Sequence, residues 1–199
     1  MFELIYPDDL APLLPRPNVN APGDTVRSES AGGEFLPVIE PNGMVIGRGG
    51  RSWCHSGAKP LHPVVHLHVI DRYGRLWLQK RPMSKDIQPG KWDTAVGGHV
   101  DYGESVIEAL YRETSEELGL REFNPIWLCA YEFESEVERE MVCVYAAVGS
   151  FRLKPDPDEV DEIRGWEMGT IDENLGKSLF TPNFEGEFVK MRSTLLSLL

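Results

Sequence analysis

The chain has 199 residues, of which 41% are hydrophobic and 26% charged, and its 20 Lys and Arg against 32 Asp and Glu leave a formal charge of −12. That length can bury a medium core without help, and the composition is that of an ordinary globular protein. The acidity argues against a general nucleic-acid binder and against a partner of acidic membranes, since both surfaces are anionic.

No apolar run reaches the roughly 20 residues that span a bilayer. The start, MFELIYPDDLAPLL, lacks the basic head and apolar core of a signal peptide. The chain therefore reads as soluble and cytoplasmic, with neither nucleic acid nor membrane among its partners. Cys54, Cys129 and Cys143 are an odd number at no metal-knuckle spacing, which suits free thiols in a reducing compartment.

Residues 1–32 are rich in Pro, Asn, Gly and Ser and read as an N-terminal extension or arm; residues 33–199 read as the domain proper. EFLPVIE (34–40) and MVIGR (44–48) flank an Asn-Gly turn and predict a hairpin. PVVHLHVID (63–71) predicts a β-branched strand, RYG a turn, and RLWLQKR (75–81) the next strand. IQPGKWD (87–93) reads as loop and TAVGG (94–98) as a short extended piece. Helical spacing runs from Gly103 to Gly119. PIWLCAYEF (125–133), EMVCVYAAV (140–148) and EIRGWEM (162–168) predict strands, and TPNFEGEFVKMRSTLLSLL a C-terminal helix. Strands interleaved with helices in this way predict an α/β fold, a mixed sheet between helices.

On a helix over 104–120, Val106, Ile107, Leu110, Tyr111, Thr114 and Leu118 share one arc, expected to face the sheet. Glu108 and Arg112 are spaced as a favourable i, i+4 pair. Glu113, Glu116 and Glu117 crowd one flank near the negative end of the helix, where like charges cost a few tenths of a kcal/mol per pair. Taken alone, such a cluster reads as a solvated acidic face. The glycine pair Gly97–Gly98 just upstream favours a second reading, a carboxylate site for a hard divalent cation with backbone brought close.

Gly98, then Glu104, Arg112-Glu113, Glu116-Glu117 and Gly119-Leu120 follow the spacing of the Nudix box, and the chain is identified on these residues as a member of the Nudix superfamily. Thr114 departs from the pattern, which usually has an aliphatic residue there. The resemblance implies an α/β/α sandwich with a mixed sheet, and hydrolysis of a diphosphate bond in a nucleoside diphosphate derivative or another small organic diphosphate. It implies Mg²⁺ or Mn²⁺ on Glu113, Glu116, Glu117 and the backbone oxygen of Gly97, with Gly98, Glu104, Arg112 and Gly119 shaping the loop and helix. Glu113 or Glu117 is the expected general base, while Glu138, Glu140 and Glu159 stay open. Lys80, Arg81, Lys85 and Lys91 could pair with phosphate oxygens or be plain surface charge.

Upstream, CHSGAKPLH (54–62), QKRPMSKDIQPGKWD (79–93) and GGHV (97–100) resemble the isopentenyl-diphosphate isomerase branch of the superfamily. That branch implies an additional metal site on His55, His62, His99, Glu138 and Glu140. Its catalytic cysteine precedes the box glycine, and here that position is Gly97, which cannot move a proton at carbon. A hydrolase with an isomerase-like frame is therefore expected; the alternatives are an isomerase-like enzyme and a silent nucleotide-sensing module. His66 and His68 could line the cleft or be strand residues with hydrogen-bond partners. Trp53 or Phe133 could stack on a base. By analogy, the arm could cross to a second subunit and make a homodimer. Nothing in the sequence names the substrate.

Overall fold

The structure, a computed structural model, describes residues 25–26, 33–85 and 87–199. Most of the expected N-terminal arm lies outside these residues. In chain order the elements are β1 (Thr25–Val26), β2 (Phe35–Ile39), β3 (Val45–Gly50), α1 (Arg51–Cys54), β4 (Leu61–Asp71), β5 (Leu76–Lys80), β6 (Trp92–Thr94) and β7 (Val96–His99). They continue with α2 (Val106–Leu118), β8 (Ile126–Glu134), β9 (Arg139–Gly149), β10 (Glu162–Trp166), α3 (Met168–Asn174) and α4 (Pro182–Ser197). This is the expected α/β class with a mixed sheet. Strand neighbours run β10-β5-β4-β9-β8, with β6 also on β5 and β7 on β4; β1-β3-β2 form a separate small sheet.

Three elements differ from the sequence reading. Trp92–Thr94 is strand rather than loop, pairing antiparallel with β5 (Leu78↔Thr94, Lys80↔Trp92). Two short helices, α1 and α3, stand where no helix was expected; at 4 and 7 residues they are too brief to show a period. All eleven residues of β4 are buried, which explains its nearly continuous β-branched and apolar texture.

By packing, the chain gathers into two compact units. Among the described residues, the first comprises those up to Val65, Gly98–Leu110 and Cys129–Val144; the second comprises those of His66–Gly97, Tyr111–Leu128 and Tyr145–Leu199.

In the first unit, β2 and β3 form the predicted hairpin. Gly43 takes φ +82° at the turn, and Asn42 Oδ1 accepts the Met44 N–H at 3.0 Å. Thr25–Val26 add to β3 as a parallel strand. Gly49 is dictated by packing, since a Cβ there would fall 2.5 Å from the Trp53 ring.

In the second unit, β5 pairs with β4 (Val69↔Trp77, Ile70↔Leu76) and with β10 along its whole length. Thr181 caps α4, its hydroxyl accepting the Phe184 N–H at 3.1 Å, with Pro182 at the first helical position. Phe184, Phe188, Met191 and Leu195 then recur on the buried face of α4.

The buried face of α2 is rotated from the expected arc. Val106, Ala109, Leu110, Thr114, Glu117 and Leu118 are buried, while Ile107 and Tyr111 are each 37% exposed. Hydrophobicity alone placed the stripe wrongly, because a glutamate sits near its centre and a small alanine at its edge. The Tyr111 ring is not idle on the surface; it packs at 4.8 Å on Phe123. Ser105 and Glu108 close a capping box at the head of α2. Glu108 Oε2 accepts the Ser105 N–H at 3.0 Å and its hydroxyl at 2.7 Å, and Ser105 Oγ accepts the Glu108 N–H at 3.4 Å. At the other end, Gly119 takes φ +62° and the Leu120 N–H reaches Thr114 O at 3.3 Å, a left-handed helix stop.

Candidate functional site

The second unit holds the glutamates of α2. Glu117 is 8% exposed, and its Oε2 accepts the Gln79 amide at 3.0 Å and the Gly97 N–H at 3.3 Å. Burial pushes the Glu117 carboxyl well above the usual range, and neighbouring Glu113 pushes it further; the two N–H donors oppose this without cancelling it. Glu113 and Glu116 are drawn to Arg112, whose Nη1 lies 2.8 Å and 3.1 Å from their carboxylates, and the Glu116 side chain is 55% exposed. The carboxylates thus differ in burial, and Arg112 already offsets part of their repulsion. As a donor set they are oxygen-only, which suits a hard cation.

Gln79 escaped the sequence reading. It is buried on β5 directly beside the helix glutamate it holds. Polar at a position flanked by Leu78, and fully covered, it could have been noticed as a buried polar residue needing a partner.

Three of the four basic residues singled out ahead of the box are paired with acids. Lys80 meets Asp161 at 3.3 Å, Arg81 meets Asp93 at 3.4 Å, and Lys85 meets Glu159 at 2.6 Å. Arg81 Nε also donates to Ile87 O at 3.1 Å, and its backbone N–H donates to Lys91 O at 2.9 Å.

His66 and His68 are the strand residues with partners that one sequence reading expected. Both reach the buried carboxylate of Glu187 on α4. His66 Nδ1 hydrogen-bonds Oε2 at 2.9 Å, and His68 Nε2 lies 2.7 Å from Oε1, at ion-pair distance but off the line of a good hydrogen bond. Burial would raise the Glu187 carboxyl, but the two imidazoles outweigh it and hold it well below the usual range.

The first unit gathers the histidines. Among the described residues, His55, His62 and His99 form a cluster whose ligand nitrogens all lie within 4.8 Å of one another. His55 and His99 face each other Nε2 to Nε2 at 3.0 Å. His62 Nδ1 is 2.9 Å from Pro60 O, which fixes its proton there and leaves Nε2 as the acceptor. That Nε2 is buried and has no hydrogen-bond partner. Burial, then the neighbouring His62 and Arg51, lower His55 to about 4; burial also lowers His62, against the Pro60 bond. Three ring nitrogens within reach of one another, that of His62 orphaned, fit a transition-metal ion as a donor set.

Carboxylates flank this cluster. Glu138 Oε2 lies 3.6 Å from His55 Nδ1, and Glu34 Oε1 lies 3.9 Å from His99 Nδ1. Glu138 stands one residue before β9, in the turn where the Ser135 N–H meets its carbonyl at 2.9 Å. Glu140 lies within β9. Glu34 was not anticipated, because it precedes β2 and is far from the histidines in sequence. Glu104 closes the loop before α2, its Oε2 accepting the Asp101 N–H at 3.1 Å.

Comparison with known proteins places the chain in a family. The NUDIX domain matches residues 60–188. The chain belongs to the Nudix family. It is 33% identical over 160 residues to an isopentenyl-diphosphate Delta-isomerase of Leifsonia xyli subsp. xyli, covering 75% of this chain and 83% of that one. It is 32% identical over 131 residues to an uncharacterized Nudix hydrolase of Nostoc sp., covering 63% and 73%. In fold it resembles DR0079 from Deinococcus radiodurans, with TM-score 0.64 at 20% identity over 79% of this chain and 98% of that one. The MutT protein from Methanosarcina mazei Go1 gives TM-score 0.60 at 24% identity over 68% and 96%. Nudix enzymes and isopentenyl-diphosphate isomerases use divalent metals. No helix among the described residues is long and apolar enough to cross a membrane.

Proposed function

We propose that the protein hydrolyses a diphosphate bond in a nucleoside diphosphate derivative or another small organic diphosphate, with Mg²⁺ or Mn²⁺ as cofactor. The observation that carries this reading is Glu117, a buried box carboxylate whose Oε2 is pinned by Gln79 and Gly97, leaving Oε1 as the oxygen available to a cation. Glu113, Glu116 and the backbone oxygen of Gly97 complete that cation site. When bound, the cation draws charge from the phosphate oxygens and so lets an anionic substrate approach a protein of charge −12.

The chain's own residues do the remaining work. Glu113 or Glu117 takes the proton of the attacking water as the bond to phosphorus forms. Lys80, Arg81 and Lys85 exchange acidic neighbours for phosphate oxygens, and Lys91 adds a further charge. Gly98, Glu104, Arg112 and Gly119 set the loop and helix that present the carboxylates. In the first unit, His55, His62 and His99, with Glu138 and Glu140, hold a second ion. The enzyme acts in the cytoplasm on a small molecule, and a homodimer is the assembly its arm would allow.

The histidine cluster and the isomerase relatives favour a second reading, an isopentenyl-diphosphate isomerase-like enzyme. Gly97 speaks against it, since it stands where that branch has its catalytic cysteine. A nucleotide-sensing module is disfavoured because all three box glutamates are kept.

A phosphate-release screen decides among these. Purified protein meets nucleoside and isoprenoid diphosphates with Mg²⁺, with Mn²⁺ and with chelator, and isopentenyl diphosphate is also followed for double-bond movement. Metal-dependent release from one compound class is the expected result. Double-bond movement without release supports the isomerase, and silence with ligand-induced thermal stabilisation supports the module; either overturns the hydrolase.

A further inference from the structure

Going beyond the diphosphate reading, and independently of it, we propose that the first unit holds a further ligand site, a pocket anchored by Arg48 that takes a small organic carboxylate. Its lining residues all belong to the first unit, so it needs neither the box glutamates nor turnover.

The geometry starts from the ladder between β2 and β3. Arg48 stands opposite Pro37, and Gly50 opposite Phe35. Cross-strand partners share a face of a sheet, and so do residues two apart on a strand. Arg48, Pro37 and Phe35 are therefore on one side. Gly50 has no side chain to cover the Phe35 ring, and the arginine beside it takes that place. Arg48 Cζ lies 5.0 Å from the Phe35 ring centre. The loop ahead of α2 brings a second ring. The Tyr102 N–H donates to Phe35 O at 2.8 Å, and the Tyr102 ring centre is 5.4 Å from the same Cζ.

Ring contact uses the face of a guanidinium, while its N–H donors lie in the plane and point outward from the edge. The two rings thus orient Arg48 without consuming its hydrogen bonds. Among the described residues no carboxylate pairs with Arg48, and its Nε is buried with no hydrogen-bond partner. A covered donor on a charged group costs free energy until an acceptor meets it. Beside it opens a pocket of about 420 Å³, lined by Gly33, Glu34, Phe35, Arg48, Asp101 and Tyr102. That is room for a small organic molecule.

The lining selects the class of ligand. A planar donor fork matches the paired oxygens of a carboxylate, and the two rings match an apolar body behind it. Two acids in the same lining limit the charge. Glu34 is drawn to Arg51, whose Nη1 lies 3.1 Å from its Oε2, and Asp101 adds a second negative group. Arg48 can meet one incoming negative charge; a second would face these acids. A singly charged carboxylate therefore fits better than a doubly charged phosphate.

The test uses the whole, isotope-labelled protein and follows the Arg48 Nε–H resonance, identified by its loss in Arg48→Lys. Acetate, benzoate, benzamide and inorganic phosphate are titrated separately. Acetate removes size as a barrier, and benzamide keeps the shape of benzoate without its charge. Both carboxylates are expected to give a saturable shift. Benzoate should bind at least about 10-fold tighter than benzamide, the difference that a charge-assisted pair makes, and tighter than phosphate. Arg48→Lys keeps the charge without the fork, and its benzoate affinity by calorimetry should fall roughly 10-fold. Circular dichroism checks that this variant is folded; if it is not, the wild-type titrations decide alone. An arginine that merely packs on two rings shows none of these effects. No saturable shift, equal affinity for benzoate and benzamide, or unchanged benzoate affinity in Arg48→Lys overturns the site. Phosphate binding tighter than both carboxylates overturns the class assigned to it. No metal or turnover enters these measurements, so their failure is distinct from failure of the diphosphate function.

Discussion

In the first unit three imidazoles meet with their nitrogens within 4.8 Å, and burial keeps His55 unprotonated down to about pH 4. In the second, burial drives the Glu117 carboxyl the other way, so that it holds its proton longer than an ordinary glutamate. The cause is the same in both places. A low-dielectric surrounding disfavours whichever form carries charge, so a base loses its proton and an acid keeps one. The consequence for a cation is opposite. The charged forms of His55 and His62 are disfavoured, so acid competes little for their lone pairs, whereas Glu117 must give up its proton before it can act as a ligand. The covered histidines and the covered glutamate therefore respond to pH in different ways.

The sharpest way to break this comparison is at the carboxylate. Glu117→Gln should cut diphosphate turnover by roughly 1,000-fold or more while the fold is kept. Steady-state phosphate release and circular dichroism check this, and a near-normal rate sinks the assignment. Next comes the imidazole side. His99→Ala should weaken metal at the histidine cluster by about 100-fold or more and leave metal bound elsewhere. Metal content after dialysis reads it; loss of all metal would mean that the two sites are not independent.

A gentler cut sharpens the role of the amide on Glu117. Gln79→Leu should weaken Mn²⁺ binding at the box glutamates by roughly 10- to 100-fold, as the loss of a supporting hydrogen bond to a ligand commonly does. Isothermal titration measures it, and unchanged affinity would make Gln79 mere packing. The opposed proton affinities can be read directly from metal-free stability. The folded-state value of His55 lies below its unfolded value of 6.5, so its contribution is complete above pH 6.5 and is lost as pH falls towards about 4. Glu117, with its folded value raised, works in the other direction and favours folding as pH drops through its raised value. Urea unfolding of wild type and Glu117→Gln from pH 8 to 4 separates the two, since the variant should lose stability more steeply on acidification. The smallest effect expected is at the head of α2. Ser105→Ala removes one half of the capping box and should cost about 1 kcal/mol, a drop of roughly 2–4 °C in Tm, without changing metal affinity.

Much of the fold was legible because its signals are local. The Asn42-Gly43 turn, the β-branched run of β4 and the Pro182 start of α4 each depend on residues within a few positions of one another. The box glutamates and the three histidines were legible for a different reason, their match to a known spacing. Other features were hidden because they depend on packing. Ile107 and Tyr111 looked like core and are exposed, since the helix turned a carboxylate inward in their place. The strand character of Trp92–Thr94 comes from its partner β5, and nothing in KWDT itself demands it.

By itself, then, the sequence determined that this chain belongs to the Nudix family, which residues form the acidic helix, and that a glycine pair, Gly97–Gly98, precedes it. Only the tertiary structure decided that Gln79 and the Gly97 amide meet on Glu117, that Glu34 and Glu138 flank the histidines, and that Glu187 reaches back to His66 and His68. Spacing along the chain encodes which side chains share an element. It does not encode which elements are pressed together, and a buried polar group's partner is set by that contact.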